Sequence, residues 1–417
     1  RATFPEGDPY FNPNLVSKGR APRDHNYAEE ARALVQAFDS VPAEIEESIA
    51  SCTRARGGDG HFVWFIPDFQ NGFYGGIHTI LRFADYFRIA HGVRSTFAVL
   101  GHAHPAAIQR RIARVSPDLA ASSTVESIDS YAGLSRLAPA EAVIATLWTT
   151  AYFALRFNKA REKFYFLQDQ ESLFYPAGTT SALADATWGF GFKGICNTVT
   201  LRDLYVQRGG RGEFFSPCID PEVFYPSSAR AIREPYTLFC YARPHHARNC
   251  FELICEAIRI LKRRMGDRVS IVTAGDEWEP ARFGLGGLVE NLGLLSYRST
   301  GALYRSCDAG LVMMATAHPS YLPLELMACG SLVVTNENPK TAWLLRDRVN
   351  CMLAGTTPGA LAAVVEEGLR DRELRRRITE HAARMVRDEY SNWNGAAEKV
   401  FAYMRAAERV VARGQMG

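Results

Sequence analysis

The chain has 417 residues, beyond the roughly 250 to 300 at which a single core stops growing, so two α/β domains are the economical reading. Apolar residues at 47% and charged residues at 22% exclude disorder as the default. A net charge of +3 is too small for a nucleic-acid footprint.

Residues 1–58 read as an N-terminal extension, with a proline-rich opening and then Tyr27 to Ala50 in the rhythm of one or two amphipathic helices. Strands are predicted at Phe62 to Ile66, Thr96 to Leu100, Val143 to Leu147, Phe164 to Leu167 and Ile195 to Thr200, with a helix over Thr79 to Ala90 and helical patterns after most of the others. That alternation is the pattern of a parallel doubly wound sheet. The segment Cys218 to Ser228 carries two prolines and an aspartate and breaks the pattern, so the interdomain linker belongs there. A second series follows: strand Thr237 to Tyr241, helix Asn249 to Arg264, strand Val269 to Ala274, helix Thr300 to Ser306, strand Ala309 to Met314, helix Pro323 to Cys329 and strand Leu332 to Thr335. Three helical stretches then run to Arg413. The domains implied are 59–225 and 226–392, with a C-terminal helix over 393–417.

The window Leu137 to Leu155 is the most apolar, but Glu141, Thr146, Thr149 and Thr150 interrupt it, and it reads as strand plus helix rather than as a membrane span. Nine cysteines include no CxxC pair, and Cys240, Cys255 and Cys307 lie in apolar runs. They read as reduced thiols of a cytoplasmic protein. The basic stretches Arg259 to Arg268 and Arg370 to Arg377 read as solvated helix faces, with attraction to the inner membrane surface as the alternative. No signal peptide is visible, and an opening Arg1 in place of methionine suggests a piece of a longer protein.

Four motifs carry chemistry. In PDFQNGFYGGIHTILRFADYF (Pro67 to Phe87), Gly75 and Gly76 remove two side chains between a strand and a helix, which lets backbone N–H groups approach an anion; His78 and Thr79 point into the same space. An ordinary tight turn would use the glycines equally well, and GxGxxG is absent. In YFLQDQESLFYPAGT (Tyr165 to Thr179), Gln168, Asp169 and Glu171 emerge where a strand ends, the edge at which open sheets bind ligands. Gln168 and Glu171 are candidates for acceptor hydroxyls, and Trp148 and Thr149, at the preceding strand end, are weaker ones. In FCYARPHHARNCFELICEAI (Phe239 to Ile258), Arg243 follows a strand, and Arg248 and Asn249 stand at a helix start, as suits a diphosphate. In AHPSYLPLELMACGSLVVT (Ala317 to Thr335), Ser320 turns into a short helix whose free N–H groups at Tyr321 and Leu322 can bind phosphate, while Glu325 can accept from a ribose hydroxyl.

The fourth motif, with AGDEWEP, GLLSYRSTGALYRSCDAGL and the linker IDPEVFYP, resembles the C-terminal half of glycosyltransferase family 4, and the first two resemble its WsaF rhamnosyltransferase group. The resemblance covers roughly residues 60 to 395. It implies a GT-B fold, two Rossmann-like domains with a central cleft, and a transferase that moves a sugar, with dTDP-L-rhamnose favoured, onto a glycan or lipid-linked glycan of a surface polysaccharide. It implies contacts of the nucleotide-sugar with Gly275 and Leu295 as well, and retention of configuration without metal or other cofactor. Many relatives carry two glutamates eight positions apart; here the earlier position is Ala317, beside His318, and Glu325 alone remains. In this reading Arg243 and Arg248 stabilise the departing diphosphate, and an inverting reaction would take Asp169 or His78 as its base. The alternative is a non-catalytic nucleotide- or glycan-binding module of a polysaccharide-assembly protein.

Overall fold

The computed structural model describes residues 27–73, 75–227 and 234–414. The proline-rich opening and Ser228, the last residue of the expected linker, lie outside the described residues. An N-terminal unit ends at Asp39 and holds α1 (Tyr27–Ala37). Everything from Ser40 onward forms a second unit.

That unit begins with α2 (Pro42–Arg54), which takes Pro42 in its first turn, where a missing N–H costs nothing. There follow β1 (His61–Pro67), α3 (Gly75–His91), β2 (Arg94–Leu100), α4 (Pro105–Ala113), α5 (Pro117–Ser122), β3 (Thr124–Ile128), β4 (Ala140–Ala145), α6 (Trp148–Arg156), β5 (Ala160–Leu167), α7 (Thr179–Ala186), β6 (Lys193–Cys196), α8 (Val199–Gln207) and β7 (Arg211–Phe214). The second series runs through β8 (Tyr236–Tyr241), α9 (Phe251–Met265), β9 (Val269–Ala274), β10 (Glu290–Asn291), α10 (Tyr297–Ser306), β11 (Ala309–Leu311), α11 (Leu322–Ala328), β12 (Leu332–Asn336), β13 (Met352–Ala354), α12 (Pro358–Arg370), α13 (Arg372–Glu389) and α14 (Trp393–Gly414).

Two parallel sheets result, in the orders β3-β2-β1-β4-β5-β6-β7 and β10-β9-β8-β11-β12-β13. Strands covered by helices on both faces must be apolar throughout, and β1 and β4 are buried along nearly their whole length. Phe62, Trp64, Phe83, Phe87 and Phe166 fill one face of the first sheet, while Leu238, Cys240, Ile271 and Leu332 help fill the second. In each sheet the order reverses beside the first strand, β1 or β8. Loops leaving the two strands there in opposite directions open a crevice at the carboxyl edge.

The chain crosses between the sheets at Phe215 to Pro226 and again at Tyr390 to Trp393, where the Ile219 N–H donates to the Tyr390 carbonyl at 2.7 Å. Past that crossing α14 packs on the first sheet, with Phe401 stacked on His91 at 3.6 Å. Helix α2 packs there too: the buried Lys163 ammonium donates to Ser48 Oγ at 2.7 Å. Among the described residues no helix is long and apolar enough to cross a membrane.

Several local expectations are corrected. The helix expected from Thr79 starts at Gly75; a Cβ at Gly76 would crowd Gln168 Nε2 at 3.3 Å, while one at Gly75 would make only ordinary contact with the Tyr321 ring at 3.4 Å. Trp148 and Thr149 open α6 instead of ending a strand, because the Thr150 hydroxyl accepts from the N–H groups of Thr146 and Leu147 and turns the chain after Ala145. Val199 and Thr200 are helical rather than extended, capped by Thr198, which accepts from the Leu201 N–H at 3.2 Å. Arg248 and Asn249 lie in a 3-10 turn before α9, from which Cys250 separates them with a left-handed φ of 51°.

Candidate active site

The crevices of the two sheets face each other across one cleft of about 510 Å³. From the first sheet come Gly75, Gly76, His78 and Thr79 after β1, Thr146 and Leu147 after β4, Gln168, Asp169 and Glu171 after β5, and Asn197 after β6. From the second come Arg243, His246, Arg248 and Asn249 after β8, Gly275 after β9, Leu295 and Tyr297 before and within α10, and His318, Ser320, Tyr321 and Leu322 with Glu325 at α11. Trp148 and Thr149 do not line it. The Trp148 indole is buried and donates to the Tyr175 hydroxyl at 3.0 Å.

On the second-sheet side the cleft is built for an anion. The Arg243 guanidinium hydrogen-bonds His246 Nε2, and burial with the neighbouring arginines pushes that imidazole down to about 4, so it stays neutral. The Arg248 guanidinium lies over the Phe174 ring, 4.2 Å from its centroid. Gly275 has a φ of 124°, and a Cβ there would stand 2.6 Å from the Tyr241 ring. Only glycine lets Tyr241 and Arg243 occupy that edge.

Ser320 is left-handed at φ 66°, a conformation held by its N–H donating to His318 Nδ1 at 2.9 Å. This turn aims the uncapped start of α11, with the N–H groups of Tyr321 and Leu322, at the cleft. Glu325 follows one turn on, half-buried. No hydrogen bond to its carboxylate forms among the described residues, and burial alone pushes the group up to about 8.

The base candidates Asp169 and His78, and Glu171 from the acceptor candidates, already have hydrogen-bond partners. Asp169 is buried and accepts from the Thr316 hydroxyl at 2.6 Å, the His318 N–H at 3.1 Å and the Gln170 N–H at 2.8 Å. Burial raises its pKa even so. Glu171 accepts from the Trp148 N–H and the Tyr165 hydroxyl, and burial pushes it up to about 8. His78 Nε2 accepts from Arg82 Nε at 3.2 Å; burial and that guanidinium push the ring down to about 3.

Some lining groups carried no signal in the sequence. Tyr297 stacks on Phe73 across the cleft at 5.6 Å and meets His78 edge-on at 4.9 Å. Like Phe174, it reads as core from the sequence. Asn197 lay inside an expected strand, although Asn197-Thr198 before an apolar run is a helix-start signal. The Tyr321 side chain bridges the sheets, accepting from Asn197 Nδ2 at 2.8 Å and bonding Thr79 Oγ1 at 2.9 Å.

Two parallel Rossmann-like sheets facing across a cleft define the GT-B fold of glycosyltransferases. The chain superposes on Anabaena HepE, solved in complex with UDP and glucose, with a TM-score of 0.65 at 14% identity, over 83% of this chain and 99% of that one. WaaG, a glycosyltransferase involved in lipopolysaccharide biosynthesis, gives 0.59 at 15% identity, over 81% and 98%. Residues 236–366 match the family model described as WsaF, C-terminal domain, in accord with the resemblance read from the motifs. The chain is also 38% identical, over 95% of its length, to the O-antigen biosynthesis protein RfbC of Myxococcus xanthus, of which it spans 34%.

Proposed function

We propose that the chain is a glycosyltransferase that carries a sugar from a nucleoside diphosphate to a hydroxyl of a growing O-antigen or surface-polysaccharide glycan, with L-rhamnose from dTDP-L-rhamnose as the sugar. The reading places the acceptor on residues 59–225 and the nucleotide on 226–392, with the donor's sugar in the cleft between them, at the cytoplasmic face of the membrane. One observation carries it: Arg243 and Arg248 share the crevice of the second sheet with the unpartnered carboxyl group of Glu325. A nucleoside diphosphate has the matching groups, a dianionic bridge and a ribose diol.

As the bond between the anomeric carbon and the phosphate oxygen breaks, negative charge collects on the diphosphate. The two guanidiniums and the N–H groups of Tyr321 and Leu322 are the donors that meet it. Stacking of Phe174 on Arg248 limits how far that guanidinium can swing. The acceptor hydroxyl must lose a proton. Asp169 already accepts three hydrogen bonds, and the His78 lone pair is taken by Arg82. The departing phosphate oxygen can take that proton in their place, as in the retaining reaction that the resemblance implies.

Thermal-shift measurements with dTDP-, UDP- and GDP-sugars test the reading, because a ligand that binds only the folded form raises its stability with concentration. Stabilisation greatest with the dTDP series is expected. Stabilisation by none of them would overturn the assignment.

A further inference from the structure

Among the described residues, six side chains of the cleft, those of Gln168, Asn197, Arg243, Asn249, His318 and Trp393, each leave one buried polar atom unpartnered, and at Gln168, Asn197 and His318 hydrogen bonds anchored on backbone groups fix what that atom is. Gln168 Nε2 donates to the Gly76 carbonyl at 3.1 Å, and a carbonyl can only accept. Its Oε1, buried and without a partner, is therefore an acceptor. Asn197 is set by a longer relay. The Thr79 hydroxyl donates to the Gly75 carbonyl at 2.7 Å, so it accepts from Tyr321, whose oxygen accepts from Asn197 Nδ2. Asn197 Oδ1, on a residue 0% exposed, is thus a second unpartnered acceptor. At His318 the polarity is reversed: the Ser320 N–H can only donate, so Nδ1 carries no proton. Burial pushes that ring down to about 3, so it is neutral, with its proton on Nε2. Nε2–H, on a residue 5% exposed, is an unpartnered donor.

Resting on the proposed function, we infer that Gln168, Asn197 and His318 form the pocket for the sugar ring attached to the nucleotide, reading neutral hydroxyl groups with two fixed acceptors and one fixed donor. Leaving such atoms unpaired in a folded interior is costly, and a ligand that pairs them recovers the cost. A hydroxyl suits the set because it both donates and accepts. A carboxylate does not, since it would face two carbonyl oxygens. The ring is the nucleotide's own because His318 lies on the loop that leads to Tyr321, Leu322 and Glu325, and Asn197 joins that loop through the Tyr321 hydroxyl. The two glycines supply the carbonyls from which the orientations of Asn197 and Gln168 follow.

The test is calorimetric titration of wild type, Asn197→Ala and His318→Asn with UDP, UDP-glucose, UDP-glucuronate, dTDP and dTDP-L-rhamnose. His318→Asn keeps an oxygen for the Ser320 N–H and deletes the Nε2 donor. Each variant should bind the bare nucleotide as wild type does, which also reports its folding, while the ratio of nucleotide-sugar Kd to nucleotide Kd rises roughly tenfold or more. Wild type should bind UDP-glucuronate more weakly than UDP-glucose, an arm that needs no variant. Unmoved ratios, or equal binding of glucuronate and glucose, would each overturn the pocket while leaving the transferase reading intact. Failure of wild type to bind any nucleotide would instead remove the reading on which the pocket rests.

Discussion

Glu325 ties the nucleotide to pH. In the ligand-free protein its carboxyl is pushed up to about 8 by burial, with no cation to offset the cost. By that value about one molecule in a hundred carries the carboxylate at pH 6 and about half do at pH 8. Only the carboxylate offers a ribose diol a charge-assisted acceptor, stronger than the neutral acid by about 1 to 1.5 kcal/mol. Weighting each form by its population gives an affinity gain of about three- to sixfold between pH 6 and pH 8. Glu325→Gln, which keeps the shape and an oxygen, should remove that gain. The assay is calorimetry with dTDP and UDP at pH 6, 7 and 8 on both proteins; the terminal phosphate titrates in both and cancels in the comparison. Equal pH dependence in wild type and variant would refute the assignment of Glu325 to the ribose.

Alanine at Arg243 or Arg248 should lower kcat more than it raises KM for the nucleotide-sugar, by roughly a hundredfold or more for a loss of about 2.7 to 4 kcal/mol, with lysine restoring part of it; steady-state transfer by each variant measures this. Tyr321→Phe breaks the relay between Asn197 and Thr79 and leaves buried groups unpaired, so denaturant unfolding should show a loss of about 1 to 3 kcal/mol. Glu171 has a folded pKa of about 8, above its unfolded value, so its neutral form favours folding at low pH and that contribution is lost as pH rises toward 8. Glu171→Gln, which can still accept from the Trp148 N–H, should therefore gain stability relative to wild type as pH rises from about 4.5 to 8, and a difference that is flat with pH would contradict this.

The long apolar runs made both sheets legible, because strands covered on both faces cannot hide their composition. β1, β5 and β8 fall within a few residues of where Phe62 to Ile66, Phe164 to Leu167 and Thr237 to Tyr241 were read. The edge strands β3, β7, β10 and β13 were not read, since half-exposed TVESI or a three-residue MLA carries too little pattern. Within the site, residues that act through charge or backbone at a strand end or helix start, such as Arg243, Arg248, Gly76 and Glu325, stand out in one sequence. Asn197, Phe174 and Tyr297 do not, because what they do depends on a neighbour more than a hundred residues away or on the opposite wall of the cleft. Trp148 illustrates the converse error: a polar tip near a strand end suggested a ligand, but Tyr175 satisfies it.

The central claim is transfer from a nucleotide-sugar, and release of dTDP from dTDP-L-rhamnose, followed with and without a lipid-linked glycan acceptor, tests it most directly. The account predicts release that the acceptor accelerates, matched by a glycan one rhamnose longer. Glycan binding with no release from dTDP-, UDP- or GDP-sugars would contradict it and leave a binding module in its place.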